Sequence, residues 1–396
     1  MRIFFSAGEP SGDLHAANLV RELRQRGPLE AVGLGSRRMQ ADGCRLLRDM
    51  SELAVMGLFP VLAKLPEFLR LLAQVKRELD ERRPDAVVLI DFPGFNWHVA
   101  RAAKQRGIPV FYYGLPQLWA WASWRVSKVR RYVDHALCKL PFEEAWFRDR
   151  GCRATYIGHP YFDELREQKL DDAFVASVQS PPARLVTILP GSRTHEVRYN
   201  LPLLLKAAAR VRREVRGVRL AVASYNERQG ALARDLVAAG PVPAEVFVAR
   251  TPELISAAEC CLACSGSVSL ELLFHAKPSV IVYRVSWLTY QMVRPLMQVR
   301  HISLVNLLNS EPLFPEFPTW RDCSDEVAKH AIGWLTDDAS RRQLIEQLIA
   351  LRERVAAGGA SAAAADYIAR ELSAPAIAFS PPAPATAPAV PLRRAS

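Results

Sequence analysis

The feature that most constrains the fold of this chain is an alternation of short apolar runs with amphipathic helices, which occurs twice. The apolar runs lack the every-second-residue alternation of a half-exposed strand, so each is expected to be buried on both faces. Buried strands separated by helices are typical of a parallel sheet covered on both sides. In the first half the predicted strands are Ile3–Ser6, Ala31–Leu34, Ala86–Ile90, Val110–Tyr113, Ala136–Cys138 and Thr155–Ile157. In the second half they are Leu185–Leu189, Arg219–Ala223, Glu245–Val248, Cys260–Ala263 and Ser279–Tyr283.

The sequence therefore predicts an α/β protein with two Rossmann-like, doubly wound domains that face a cleft. Residues 1–165 form the predicted first domain and residues 183–372 the second, with the last helices able to pack back on the first domain. The polar stretch 166–182 is predicted as the linker. Residues 373–396 are rich in Ala and Pro and cannot bury a core, so we expect a disordered tail.

The charge of the chain and its distribution indicate which kinds of binding partner to expect. The formal net charge is +11, which favours an anionic partner such as nucleic acid, a phosphorylated metabolite or an anionic membrane surface. The basic residues are spread over most of the predicted helices rather than gathered in one stripe, which argues against nucleic acid. No apolar stretch is long and uninterrupted enough for a membrane span, and the N-terminus lacks the pattern of a signal peptide. We therefore expect a cytoplasmic protein.

The cysteines suggest no metal site. Cys260, Cys261 and Cys264 lie in an apolar run with no matching second pair, so they are predicted to be small core residues. Neither a metal nor another cofactor is expected.

The first strand runs directly into a loop of small residues and then into a helix. This loop contains Gly8, Glu9, Ser11, Gly12 and Asp13. Free backbone N–H groups at such a helix start can hold an anion. The motif has neither the lysine of a P-loop nor the glycine spacing of a dinucleotide site, and a plain strand–helix turn is the alternative.

Asp91 follows a predicted buried strand and is the candidate general base. Apolar neighbours disfavour the charged form of a carboxylate and make it a stronger base. Asn96 lies in the same segment, Ile90–Asn96. The alternative for Asp91 is a turn or a helix cap.

Two loops of the second half are candidates for binding phosphate. Gly191, Ser192 and Arg193 combine backbone amides with a guanidinium, although a solvated arginine is the alternative. In the second loop, the amides around Ser265, Gly266 and Ser267 are predicted to hold a diphosphate, and Glu271 the hydroxyls of a ribose. Here the alternative is an ordinary helix cap.

Two further segments are rich in large apolar side chains. The run from Trp119 to Arg131 interleaves tryptophans with basic residues, which suits stacking of bases or the wall of a cleft for an amphiphile. The stretch Leu58–Leu72 is either a core helix or a lipid-facing surface. Its candidate lipid contacts are Leu58, Phe59, Val61, Leu62, Leu65, Phe68 and Leu69.

Many of these motifs, in the same order, resemble the lipid-A-disaccharide synthase family. The resemblance covers about residues 1–372. The segments that carry it are Ser6–Asp13, Met39–Cys44, Leu53–Gly57, Asp91–Asn96, Trp119–Trp121, Leu140–Glu143, Ile157–Pro160, Leu189–Arg193 and Ser265–Glu271. Val305, Pro318 and Gly94 depart from residues that are usual in the family.

The resemblance implies an inverting glycosyltransferase of the GT-B fold. It would join UDP-2,3-diacylglucosamine to 2,3-diacylglucosamine 1-phosphate and release UDP, peripherally bound to the inner membrane on its cytoplasmic side. A homodimer is compatible with it.

Specific roles follow for the candidate residues. Asp91 would take the proton of the acceptor 6-hydroxyl and Arg193 would stabilise the departing UDP, while the Gly8–Asp13 loop and Asn96 would serve the acceptor. Asn306 and Glu316 match family positions that line the donor pocket. The alternatives are a UDP-sugar 2-epimerase of similar fold and a non-catalytic module that binds nucleotide or lipid.

Overall fold

The computed structural model describes residues 1–8, 10–50, 65–179 and 184–373. This part of the chain forms two compact units. The first comprises Met1–Asp163 together with the described residues from Gly358 to Ser373, and the second comprises Glu164–Ala357. Residues 180–182 of the predicted linker, residue 183 of the predicted second domain and residues 374–396 of the predicted tail lie outside the described residues.

The first unit is built on a seven-stranded sheet in which all neighbouring strands are parallel. Its order is β3-β2-β1-β4-β5-β6-β7. The strands are β1 (Arg2–Ala7), β2 (Glu30–Gly35), β3 (Arg45–Asp49), β4 (Ala86–Ile90), β5 (Val110–Tyr113), β6 (His135–Cys138) and β7 (Ala154–Tyr156). The interior strands β1, β4, β5 and β6 are almost wholly buried, as their continuous apolar sequences predict.

The helices of this part of the chain follow the strands in alternation. They are α1 (Pro10–Gln25), α2 (Arg37–Ala41), α3 (Leu65–Arg82), α4 (Pro93–Lys104), α5 (Leu118–Trp121), α6 (Val126–Tyr132), α7 (Pro141–Arg148), α8 (Tyr161–Glu167) and α9 (Asp172–Val178). The last two lie partly or wholly in the predicted linker, and α9 is capped by Asp171 Oδ1, which accepts from Phe174 N. The predicted linker is therefore partly helical.

The second unit repeats the plan with a six-stranded parallel sheet of order β10-β9-β8-β11-β12-β13. Its strands are β8 (Arg184–Leu189), β9 (Val218–Ser224), β10 (Glu245–Val248), β11 (Cys260–Cys264), β12 (Ser279–Arg284) and β13 (Glu316–Thr319). Its helices are α10 (Thr194–Glu214), α11 (Glu227–Ala238), α12 (Thr251–Ala257), α13 (Val268–Phe274), α14 (Trp287–Val293), α15 (Leu304–Leu308), α16 (Ser324–Thr336) and α17 (Asp338–Val355).

The last helix in the described part of the chain, α18 (Ala360–Ser373), belongs to the first unit. Arg26 Nε donates to Asp366 Oδ1 at 2.6 Å, and His135 Nδ1 lies 3.1 Å from the Tyr367 hydroxyl. Ile368 of α18 is fully buried in the core of this unit. The chain thus leaves the first unit, builds the second, and returns to complete the first.

The predicted pair of doubly wound parallel sheets is confirmed. In each sheet the strand order reverses once, between β1 and β4 in the first unit and between β8 and β11 in the second. Helices on either side of such a reversal diverge and leave a crevice beyond the carboxyl ends of the two strands. This rule places one candidate site in each unit.

Candidate functional site

In the first unit, Asp91 lies at the point of strand reversal. Ala7 of β1 pairs with Ile90 of β4, so Gly8 and Asp91 leave the sheet side by side. A Cβ placed on Gly12, in the first turn of α1, would lie 3.6 Å from Asp91 Oδ2. The start of the helix, where its dipole favours negative charge, is therefore next to the Asp91 carboxylate.

The backbone at Asp91 is strained and firmly held. Asp91 and Phe92 both have φ of 44°, in the left-handed region that side chains other than glycine rarely adopt. The Asp91 carbonyl accepts from Asn96 Nδ2 at 2.9 Å and from the Tyr112 hydroxyl at 2.8 Å. Such strain persists only where surrounding contacts fix it, and it is typical of functional sites.

Asn96, predicted to contact the acceptor, is instead a buried structural residue. Its side chain is inaccessible to solvent, and Ser6 Oγ donates to Asn96 Oδ1 at 2.6 Å. Its amide nitrogen donates to the carbonyls of Ser6 and Asp91. Because the amide is used within the unit, Asn96 ties β1 to the Asp91 turn rather than facing a ligand.

Lys139 is the main residue that sequence reasoning missed. Lys139 Nζ lies 3.2 Å from Asp91 Oδ1, and the two side chains are 19% and 24% exposed. Gly114 has φ of 72°, and a Cβ there would lie 2.9 Å from Lys139 Nζ. The sequence predicted apolar neighbours for Asp91, and the structure instead gives it a cation. The available signal was a lysine directly after a buried strand, at the same sheet edge as Asp91.

His159 lies in the same electrostatic environment. Burial lowers the pKa of His159 well below its ordinary value, and the positive charges of Lys139 and His15 lower it further. The ring is therefore neutral at neutral pH. Its Nδ1 accepts from Tyr161 N at 3.3 Å, which leaves Nε2 as the protonated nitrogen.

The residues of the loop before α1 and of its first turn differ in their surroundings. A Cβ on Gly8 would lie 2.3 Å from the Phe92 ring, so only glycine fits there. Ser11 is exposed at the start of α1. Asp13, predicted to bind the acceptor, is 3% exposed and accepts from Ser36 N and Ser36 Oγ, both at 2.5 Å, so its carboxylate links α1 to the chain after β2. Glu9 lies outside the described residues.

Part of the predicted lipid-facing stretch is adjacent to Asp91. Phe68 of α3 packs with Phe92 and Phe95, with ring centroids 6.4 and 5.9 Å away. Leu69 is 58% exposed. Leu58, Phe59, Val61 and Leu62 lie outside the described residues, as does the side chain of Leu65.

The tryptophan segment divides into a buried anchor and an exposed part. Trp119 is 1% exposed, and its Nε1 donates to Glu143 Oε1 at 2.9 Å. Trp121 and Trp124 are 45% and 60% exposed, and the Arg125 guanidinium lies 5.1 Å from the Trp121 ring. Burial raises the pKa of Glu143, which is structural rather than catalytic.

In the second unit, Arg193 follows β8, one of the two strands between which the strand order reverses. Its side chain is 69% exposed, and Arg193 Nη1 lies 3.2 Å from Glu196 Oε1. Glu196 Oε2 also accepts from the backbone N–H groups of Ser192 and Arg193, each at 3.0 Å. These two amides, predicted to bind phosphate, are therefore used by Glu196, which orients the guanidinium. Gly191 is required here because a Cβ on it would lie 2.5 Å from Glu196 Cβ.

The Ser265–Ser267 loop follows β11, next to β8 in the sheet. Gly266 and Ser267 are exposed, and a Cβ on Gly266 would meet nothing within 4 Å. Ser265 Oγ donates to Ile302 O at 3.0 Å. Glu271, in α13, is 5% exposed. The backbone of Gly266 and Ser267 is therefore accessible to a ligand.

Asn306 and Glu316, expected to line the donor pocket, bond to each other and to backbone groups of their own unit. Asn306 Nδ2 donates to Glu316 Oε1 at 2.8 Å and to Phe314 O at 2.7 Å. Glu316 accepts from Ile302 N at 2.8 Å and Ser303 N at 2.9 Å. Because Ile302 in turn accepts from Ser265, the Asn306–Glu316 pair helps to position the Ser265 loop.

The cysteine run lies where the sequence predicts. Cys260, Cys261 and Cys264 are buried in β11, and burial raises the pKa of the Cys261 thiol to about 12. Within the described ranges, no three His, Cys, Asp or Glu side chains are placed to hold a metal ion. Across the same residues, no helix has the length and apolarity needed to cross a bilayer.

Solved structures share the fold of this chain. A Staphylococcus aureus MnaA–UDP structure matches with a TM-score of 0.66 at 13% identity, over 94% of this chain and 96% of that one. Acinetobacter baumannii MurG matches with a TM-score of 0.57 at 14% identity, over 93% and 99% of the two chains. At these identities the likeness establishes the fold alone, and the predicted GT-B class is confirmed.

Comparison with curated sequences is more specific. Lipid-A-disaccharide synthase of Myxococcus xanthus is 36% identical over 93% of this chain and 96% of its own length. The Geobacter metallireducens enzyme of that name is 34% identical over 91% and 94%. The family model described as lipid-A-disaccharide synthetase matches residues 3–368. The chain belongs to the lipid-A-disaccharide synthetase family.

Proposed function

We propose that this protein is a lipid-A-disaccharide synthase. The reaction joins UDP-2,3-diacylglucosamine to 2,3-diacylglucosamine 1-phosphate through a β(1→6) bond and releases UDP. The observation that carries the proposal is the family match over residues 3–368, together with Asp91 and Arg193 at the strand reversals of their units. A carboxylate at one reversal and a guanidinium at the other suit the two halves of a glycosyl transfer.

Asp91 acts as the general base of the first unit. Its carboxylate accepts the proton of the acceptor 6-hydroxyl while that oxygen attacks the anomeric carbon of the donor sugar. Asn96 and Tyr112 hold the backbone of Asp91, and Lys139 orients the carboxylate. The Asp91 carboxylate lies near the start of α1, where Ser11 is exposed, and this supports binding of the acceptor by the first unit.

Arg193 acts on the leaving group in the second unit. As the bond between the anomeric carbon and the phosphate oxygen breaks, its electron pair stays on UDP, and the guanidinium stabilises that charge. Glu196 fixes the rotamer of Arg193, and the backbone of Gly266 and Ser267 is open to the diphosphate. Inversion at the anomeric carbon fits one base and no covalent intermediate.

The substrates' acyl chains are expected to contact the surface around Phe68 and Leu69, and the exposed Leu69 supports this. Peripheral binding to the cytoplasmic side of the inner membrane, and a homodimer, belong to the same proposal. Sedimentation of the full chain in detergent tests the homodimer.

The deciding experiment supplies both substrates in detergent micelles. Mass spectrometry of the products should reveal a tetra-acyl disaccharide phosphate, and free UDP should form in equal amount. A 2-epimerase would change the donor sugar without consuming acceptor. A binding module would hold UDP with no turnover. Either result would overturn the proposal.

A further inference from the structure

The second unit carries an exposed apolar segment that the candidate site does not use. The segment comprises α14 and the 3-10 turn after it, Trp287–Leu296. Of the ten large hydrophobic side chains most exposed in the described part of the chain, five lie here. They are Trp287 at 55%, Leu288 at 62%, Met292 at 64%, Val293 at 43% and Leu296 at 48%. An apolar concentration of this kind marks an interaction surface.

The helix itself has no buried face. None of the residues of α14 or of the 3-10 turn is buried. Ser286 caps its start, with Ser286 Oγ accepting from Thr289 N at 3.2 Å. Helices this short are normally stabilised by packing of an apolar face, and here that face has no partner within the described residues. Leu288 and Met292 lie one turn apart on it, which gives it a continuous apolar ridge.

The sequence on both sides of the segment carries positive charge only. No Asp or Glu lies between Glu271 and Glu311, whereas Arg284, Arg294 and Arg300 lie within or beside the segment. Arg294 and Arg300 are exposed, and neither has an acidic partner in the described part of the chain. Trp, Met and Leu side chains flanked by unpaired arginines form the pattern of a helix that lies in the interface of an anionic bilayer.

We propose that the Trp287–Leu296 segment is a lipid-contact surface of the second unit and binds an anionic bilayer. It inserts Leu288 and Met292 among the acyl chains, while Arg294 and Arg300 contact phosphate headgroups. The proposal deepens the proposed function, since it names where the donor-binding unit meets the membrane that holds both substrates. It differs from the prediction for the stretch Leu58–Leu72, which concerns the first half of the chain.

Vesicle binding by the full chain tests the surface without any substrate. The probes are phosphatidylcholine vesicles with or without 30% phosphatidylglycerol. Leu288→Ser combined with Met292→Ser should lower the partition coefficient on anionic vesicles by about tenfold. The matched control is Tyr225→Ser, since Tyr225 is 62% exposed on the same unit but outside the segment. Equal binding by the double variant and the wild type would overturn the proposal.

A second pair of variants tests how much positive charge contributes to vesicle binding. Arg294→Glu should weaken binding to anionic vesicles by about fivefold and leave binding to neutral vesicles unchanged. Arg342→Glu is the control, because Arg342 is also exposed and lies on α17, outside the segment. Circular dichroism and UDP calorimetry verify that each variant is folded. A loss that is the same on both kinds of vesicle would contradict a role in recognising headgroups.

A spectroscopic measurement separates direct contact from an indirect effect. All seven native cysteines are buried, so Met292→Cys can be labelled selectively with an environment-sensitive dye. Direct insertion predicts a blue shift on addition of anionic vesicles. If the label instead responds to protein concentration and sedimentation gives a dimer that the double variant abolishes, a second copy covers the surface and the proposal fails. Because no sugar substrate is used, these outcomes are independent of whether the transferase assay succeeds.

Discussion

Lys139 Nζ lies 3.2 Å from Asp91 Oδ1, so the carboxylate proposed as the base has a fixed cationic neighbour. The contact joins the carboxyl ends of β4 and β6, two strands that are separated by β5 in the sheet. The ammonium donates to Oδ1 and so restricts the orientation of the carboxylate, while Oδ2 lies near Gly12 in the first turn of α1.

Replacing Asp91 by Asn should remove the base while preserving shape. We expect kcat to fall by about a thousandfold, the usual contribution of a general base, while UDP affinity changes less than twofold. Steady-state kinetics and calorimetry check the two values. Asp149→Asn, at an exposed position, is the control. A kcat within tenfold of the wild type would reject Asp91 as the base.

Lys139→Met should lower kcat, because the ammonium no longer holds the Asp91 carboxylate in its orientation. We expect a loss of about tenfold in kcat with little change in UDP affinity, checked by steady-state kinetics and calorimetry. Lys139→Arg keeps a cation beside Asp91 and should retain most of the activity. A rise in acceptor KM at unchanged kcat would mean that Lys139 binds substrate phosphate instead.

The turn at Asp91 requires glycine at position 8. Gly8→Ala would bring a Cβ within 2.3 Å of the Phe92 ring, and we expect it to destabilise the unit by about 2 kcal/mol or more and to lower kcat by displacing Asp91. Gly94→Ala is the matched control, because a Cβ at that exposed helical position meets nothing within 4 Å. It should be neutral or stabilise by up to about 1 kcal/mol. Urea unfolding distinguishes the two variants.

Glu196 should matter for both stability and turnover. Glu196→Ala frees the amides of Ser192 and Arg193 and releases the guanidinium, so we expect a loss of about 1 kcal/mol and a fall in kcat with little change in acceptor KM. Arg198→Ala, exposed on the same helix, should change neither. A stability loss without a kinetic one would mean that Glu196 is only a helix cap.

The first unit should lose stability at acidic pH through His135. Burial lowers the pKa of His135 to about 4 from an ordinary value of 6.5. The unfolded chain therefore binds the proton first, so stability is complete above pH 6.5 and falls as the pH drops toward 4, by up to about 3 kcal/mol. Calorimetric Tm values between pH 7 and 4 should show this. His135→Phe should flatten the slope, and His98→Gln, at an exposed position, should not.

The strands that the sequence did not predict lie at sheet edges. β3 and β13 end the two sheets, and their residues are mostly exposed or half-buried. An edge strand has one neighbour and needs little apolar sequence, so periodicity does not mark it. Pro318 in β13 also reads as a strand breaker, yet proline is tolerated at an edge. Interior strands, buried on both faces, are marked by apolar runs.

For the candidate site, the sequence predicts only at which edge of its sheet each residue lies. Asp91 and Arg193 follow buried strands, and that fixes their edge of the sheet. Whether a side chain faces a ligand depends on partners distant in sequence. Asn96 is hydrogen-bonded to Ser6, and Asn306 to Glu316, so the side chains of both asparagines are buried inside their units. A single sequence gives no signal for such pairings.

The return of the chain to its first unit has a consequence for biosynthesis. Because α18 completes the core around α1 and β6, the amino-terminal half cannot close its hydrophobic surface while the ribosome is still translating the second unit. The core of the first unit therefore stays partly exposed until α18 has been synthesised. A premature stop near codon 357 would therefore damage the half of the protein that was made first.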